Sequence, residues 1–245
     1  MRHTIIGLAA LLLSTTALHA EMTAAERETF RAEVRAYLMD NPEVLMEAIG
    51  VLEDRRMSEA AANDVALLAT NADEIFNDPA SWSGGNPDGD VTVVEFIDYR
   101  CGYCRRAHDD VTELVGTDGN IRLVMKEFPI LGEQSDLSSR FAISVLQLEG
   151  AEAYKTVHDA LITYRGDVTP EALAGIGTEA GLSDVAAVLA HMASAEVTSV
   201  IEANHALGQR LGINGTPTFV IDGTMVRGYV PLDGMRQIVE GQREG

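Results

Sequence analysis

Cysteine is almost absent from this chain: there are two among 245 residues, Cys101 and Cys104. Two cysteines cannot make a cross-linked scaffold, and no second CxxC is available to close a zinc clip. Basic residues are also scarce. Against 38 Asp and Glu stand 18 Lys and Arg, a formal charge of −20. A surface of that sign repels phosphate backbones and anionic lipid heads, so no nucleic-acid partner is expected and peripheral membrane binding fits poorly. Beyond the N-terminal segment no run is long and apolar enough to cross a bilayer, and no internal repeat is visible. Apolar residues still make up 46 % of the chain, enough for a core.

What is present begins with a leader. Met1-Arg2-His3 is a short basic start, Thr4 to Leu13 is an apolar stretch, and Ala17-Leu18-His19-Ala20 resembles a cleavage site. The expectation is an export signal over residues 1–20, cut near Ala20, and a mature protein in a bacterial periplasm, where disulfide chemistry operates. Turn and loop residues crowd Asn77 to Asp90 and place a boundary there. Residues 21–76 then form a helical segment and residues 77–245 a second domain. Within the segment one helix runs from Thr23 to Met39. A break follows at Asp40-Asn41-Pro42, with Asn41 as N-cap and Pro42 as first helical residue of the next helix. Leu45, Ile49 and Leu52 form an apolar stripe beside Val44 and Ala48. The stripe either docks on its own domain or meets copies of itself in a trimer or dimer.

The cysteines lie where a buried strand passes into a helix. Val91 to Asp98 is an apolar, β-branched run, and Arg105 to Val115 keeps helical spacing through Ala107, Val111 and Leu114. Cys101 therefore opens a helix, where free amides and the helix dipole favour thiolate, with Arg100, Arg105 and Arg106 adding positive charge. A disulfide closing so short a loop contributes only about 2 kcal/mol, against about 3 for a fifteen-residue loop, so the pair is a poor staple. His108 alone is near enough in sequence to help bind a metal. It reads as an exposed helix residue, and no metal site is expected. Redox chemistry is the preferred reading, ahead of a copper or zinc module and of an inert disulfide.

Ile121 to Ile130 reads as a second strand parallel to the first. A helical block follows over about residues 135–211, in pieces 137–148, 151–164, 170–180 and 183–211, with Arg165-Gly166-Asp167 as a plain turn. Thr216 to Gly223 and Thr224 to Val230 read as a hairpin, and Pro231 starts a closing helix to Val239. The order is α/β in class.

Strand, CxxC and helix, followed far downstream by Gly215-Thr216-Pro217-Thr218-Phe219, resembles a thioredoxin-like fold with a helical insertion. The DsbA family of exported thiol-disulfide oxidoreductases has this arrangement. Gly102-Tyr103 between the cysteines, with Thr216 before Pro217, is similar to exported isomerases such as DsbC. The segment Tyr37-Leu38-Met39-Asp40-Asn41-Pro42-Glu43 ahead of the domain looks most like ScsC proteins, which are linked to copper tolerance. The resemblance implies a protein-disulfide oxidoreductase or isomerase, with a DsbA-like oxidase as its rival. It implies no cofactor beyond the Cys101–Cys104 disulfide, client proteins with thiols or disulfides, and a membrane redox partner that recycles the site. Cys101 is then the nucleophile, Cys104 the resolving thiol, and Pro217 a cis residue facing them. Gly102, Tyr103, Thr216 and Pro217 would contact substrate. Glu95, six residues before Cys101, is expected as the buried acid that exchanges protons with Cys104, with Lys126 on the next strand either pairing with Glu95 or snorkelling to the surface.

Overall fold

Thr23 caps the first helix, α1 (Ala24–Asp40): its hydroxyl accepts from the Glu26 amide, and the Glu26 carboxylate accepts from the Thr23 amide. The computed structural model describes residues 22–244, so the expected export signal lies outside the described residues. Asn41 does not cap the second helix, α2 (Glu43–Thr70). Its side chain turns back to donate to the Tyr37 carbonyl, closing α1 instead.

Two compact units divide between Met57 and Ser58, earlier than residues 77–90. The physical reason lies in burial. Leu68 of α2 and Ile75 of α3 (Ala72–Phe76) pack with Val94, Phe96, Val124 and Val220, so the chain belongs to the sheet's core well before residue 77. In the first unit α1 has no buried residue at all.

The second unit is built on a five-stranded sheet in the order β1-β3-β2-β4-β5. Strand β2 (Val91–Ile97) runs parallel to β3 (Ile121–Glu127) through the intervening α4 (Gly102–Asp118). Strand β1 (Trp82–Gly85) lies antiparallel on β3, inside the stretch expected to be loop. Four residues rich in Ser and Gly give no alternation to read, and the Trp82 indole donating to the Ala151 carbonyl fixes its place. On the other side β4 (Thr218–Ile221) pairs antiparallel with β2 and with β5 (Thr224–Arg227), joined at Asp222-Gly223 with Asp222 at φ 45°.

The helical block is α5 (Glu133–Glu149), α6 (Ala151–Thr163), α7 (Pro170–Glu179), α8 (Val185–His191) and α9 (Ala195–Arg210). The expected single helix over 183–211 is two, because the Ser194 hydroxyl accepts from the Val197 amide and starts a new one. The closing helix α10 runs Leu232–Glu244, beyond Val239.

Strand alternation sorts the core into two faces. Val93, Ile97, Met125, Phe219 and Ile221 point to the face covered by α4, α6 and α10, while Val94, Phe96, Val124, Phe128 and Val220 point to the other. The cysteines join the first of these clusters.

Candidate active site

Residues 98–101 leave β2 in a tight turn closed by the Cys101 amide on the Asp98 carbonyl, and Cys101 becomes the N-cap of α4. Asp98, fully buried, ties that turn down with four bonds. Its carboxylate accepts from the amides of Arg100, Ile130 and Leu131 and from the Ser135 hydroxyl. The two cysteines, both thiols here, are placed at different depths: Cys104 is sealed at 0 % exposure, Cys101 reaches the surface at 8 %, and Tyr103 between them is 62 % exposed. A Cβ added at Gly102 would meet no atom within 4 Å, so the fold itself does not require glycine there.

The Thr216-Pro217 peptide is cis, and Cys101 Sγ donates to the Thr216 carbonyl at 3.1 Å. Cys101, Cys104, Thr216 and Pro217 are thus brought together. The Cys101 thiol is lowered to about 5, chiefly by donation from the Cys104 thiol. The buried, otherwise unpartnered Thr216 hydroxyl and the amides of Cys104 and Tyr103 add to it. The bond to the Thr216 carbonyl favours the neutral thiol, and these donors outweigh it together with partial burial. The arginines have other partners: Arg100 bonds the Gly166 carbonyl, Arg105 the Tyr99 carbonyl, and Arg106 lies 4.7 Å over the Tyr229 ring. Hydrogen-bond donors at the helix start and on Thr216 therefore lead in favouring the thiolate, and of the flanking arginines Arg105 is the one whose charge couples to Cys101. Cys104 is pushed far up, by burial first, then by its donation to Cys101 and by the charge of Glu95.

Glu95 is where the sequence places it, buried on the cysteine face with Oε1 unpartnered. Burial raises its carboxyl to about 8, with the Cys101 and Glu127 charges adding to the rise. Lys126 does not join it. In the parallel register Glu95 pairs with Met125 and Phe96 with Lys126, so Lys126 points to the opposite face. It does not snorkel either: at 1 % exposure its ammonium meets Asp78 at 2.6 Å. Beside it opens a cavity of about 510 Å³ lined by Asp73, Asn77, Ala203 and Asn204, away from the cysteines.

Sequence reasoning missed a buried polar network behind the site. Glu127 Oε1 accepts from the hydroxyls of Tyr99 at 2.8 Å and Tyr154 at 2.6 Å, and Tyr99 also meets His158 Nδ1 at 3.1 Å. Burial raises Glu127 to about 7 and lowers His158 to about 3. His108 is not an exposed helix residue. It is largely enclosed beside His158, with Nε2 at 3.4 Å from Asp159.

Chemically the arrangement offers one accessible thiolate, one sealed thiol to resolve it, and an acid that can hold the resolving proton. That defines a thiol-disulfide oxidoreductase on a thioredoxin scaffold. The chain belongs to the DSBA-like thioredoxin domain family, whose model matches residues 92–240, and the copper resistance protein ScsC N-terminal domain matches residues 26–59. A thioredoxin-like oxidoreductase from Silicibacter pomeroyi is 43 % identical, covering 71 % of this chain and 98 % of its own, with TM-score 0.66. A linker-deletion mutant of Proteus mirabilis ScsC is 27 % identical over 92 % of this chain and 99 % of its own, with TM-score 0.69. Disulfide bond formation protein D of Bacillus subtilis is 22 % identical over 66 % of this chain and 76 % of its length. Na(+)/H(+) antiporter NhaA 1 of Salinispora arenicola is 27 % identical, and this chain spans only 24 % of its length.

Proposed function

We propose that this protein is a periplasmic thiol-disulfide isomerase or reductase that works as a homo-oligomer joined through residues 22–57. Cys101 thiolate attacks a client disulfide, forming a mixed disulfide and releasing one client thiolate. Either a client thiolate then displaces Cys101, completing an isomerisation, or Cys104 attacks the Cys101 sulfur and releases the client reduced. Glu95 takes the Cys104 proton in that second step. Once Cys101 is bonded its charge is gone, so Glu95 ionises more readily and becomes the base the step needs. The exchanging disulfide is Cys101–Cys104 itself, and the reaction needs no other cofactor. Reduction of the resulting Cys101–Cys104 disulfide by a membrane partner closes the cycle. Export by the leader at residues 1–20 places the protein where such clients are found.

The oligomer reading rests on one observation: the first unit displays its apolar stripe. Leu45, Ile49 and Leu52 are 49, 46 and 52 % exposed, next to a groove lined by Phe30, Val34, Leu38 and Met39. Such a surface suits self-association, and joined copies raise the effective concentration of thiols around a held client. Because Asp64 and Leu68 belong to the second unit, the informative deletion is residues 22–57. The truncated protein is expected to be monomeric by light scattering, to keep dithiol oxidation or reduction, and to lose most refolding of scrambled ribonuclease. A full-length monomer, or a monomer that isomerises as well as the full chain, would reject the proposal in favour of a DsbA-like oxidase.

A further inference from the structure

We propose that His108, His158 and Asp159 form a site for a divalent transition-metal ion, zinc or copper(II), separate from the cysteine pair. One nitrogen of each imidazole and one carboxylate oxygen lie within 4.8 Å of one another. Two imidazoles and a carboxylate suit zinc or copper(II), whereas magnesium and calcium want oxygen alone. Three protein ligands leave a fourth position for water, an open tetrahedral site.

The hydrogen bonds behind the cluster set the tautomer of His158. The hydroxyl of Tyr99 has one proton and gives it to Glu127 Oε1 at 2.8 Å, so its oxygen can only accept from His158 Nδ1, at 3.1 Å. Nδ1 therefore carries the hydrogen and Nε2 a lone pair. His158 is 3 % exposed, and Nε2 has no hydrogen-bond partner among the described residues. A ligating imidazole is usually held in this way, by its other nitrogen on a hydrogen-bonded partner that fixes ring and tautomer. His108 comes from α4 and the other two ligands from α6, so the ion would link these helices.

Lys155 is the competitor. Its Nζ lies 2.7 and 2.5 Å from the two Asp159 oxygens, but the lysine is half-exposed and free to swing into solvent. Breaking an exposed pair of this kind costs little.

The test uses the untagged mature chain with Cys101 and Cys104 oxidised to their disulfide, so that no thiol can bind metal. Zinc sulfate alone is titrated calorimetrically, and copper(II) is followed by electron paramagnetic resonance. The expected result is one equivalent per chain with nitrogen coupling in the copper spectrum. His108→Ala, at an incompletely buried position, should abolish that equivalent while its melting temperature in chelator matches the parent. Tyr99→Phe should weaken binding about tenfold by freeing the His158 ring, and Lys155→Met should tighten it about two- to fivefold by removing the competitor. No zinc bound by the disulfide form would overturn the site, as would binding that His108→Ala leaves unchanged. This site stands whether or not the protein isomerises disulfides.

Discussion

On one face of the sheet Glu95 sits in the core with a carboxylate oxygen unpartnered; on the other Lys126, buried as deeply, gives its ammonium to Asp78 at 2.6 Å. Both residues interrupt apolar strands, and on sequence alone both look like parts of one site. The pairing decides between them. A satisfied buried ion pair is a fixed piece of architecture, and its charge states do not change during a reaction. An unsatisfied carboxyl beside a thiol pair can gain and lose a proton as the neighbouring charge comes and goes. One face therefore carries the chemistry and the other holds the sheet in place.

The strongest attack on that division is at the chemistry itself. Cys101→Ala is expected to abolish disulfide exchange, while Cys104→Ala should still attack and accumulate mixed disulfides, visible as mass adducts of client thiols. On the opposite face, Asp78→Ala strands the Lys126 ammonium and should cost about 3 kcal/mol in a urea titration. The activity of the remaining folded protein should be unchanged, and a catalytic loss beyond the unfolded fraction would put Lys126 back in the mechanism. Glu95→Gln should slow the resolving step on the order of 100-fold, the low end of general acid–base effects, read by single-turnover decay of the mixed disulfide. The same variant should be more stable than the parent at high pH. The raised carboxyl contributes stability below the unfolded value of about 4.3 that is lost as pH rises through about 8, and glutamine does not titrate.

A further prediction concerns the reduced state. Cys101 is depressed to about 5 from an unfolded value of about 8.5, so its thiolate contributes stability that is fully present above the unfolded value and is lost as pH falls through about 5. The reduced protein should accordingly melt higher than the oxidised form at pH 8, with the gap narrowing toward pH 5 in paired calorimetric scans. A gap that does not change with pH would remove the thiolate as its cause.

What could be read from the sequence was local. Cys101 and Cys104 announce themselves because strand, turn and helix start are contiguous, and Thr216-Pro217 because a proline before a strand is a short signal. The apolar runs of β2 and β3 were legible too, but the register between them was not. Val91 lies opposite Ile121, which sets Glu95 beside Met125 and turns Lys126 away. A slip of one residue would have brought them to one face. The network behind the site was hidden for a related reason. Its hydrogen bonds join Tyr99 to Glu127 across 28 residues and to His158 across 59. No periodicity reports side chains that meet only after the sheet and the helical block have packed. Strand β1 went unseen because Ser83, Gly84 and Gly85 carry no strand pattern, and its existence depends on the edge that β3 offers.

Asp98 gives the helical block a purpose beyond bulk. One carboxylate grips the turn ahead of Cys101 through the Arg100 amide and, with the same two oxygens, the Ile130 and Leu131 amides and the Ser135 hydroxyl at the entrance to α5. The block is therefore wired into the turn that carries the nucleophile. An engineer who shortened this chain toward a minimal thioredoxin by removing residues 133–210 would delete the Ser135 partner and leave that carboxylate short of a bond in the core. The expected product is a protein whose Cys101 reacts with alkylating reagents at the rate of a free thiol in an unstructured peptide. A preserved thiolate rate in the trimmed chain would show that the turn stands without its anchor.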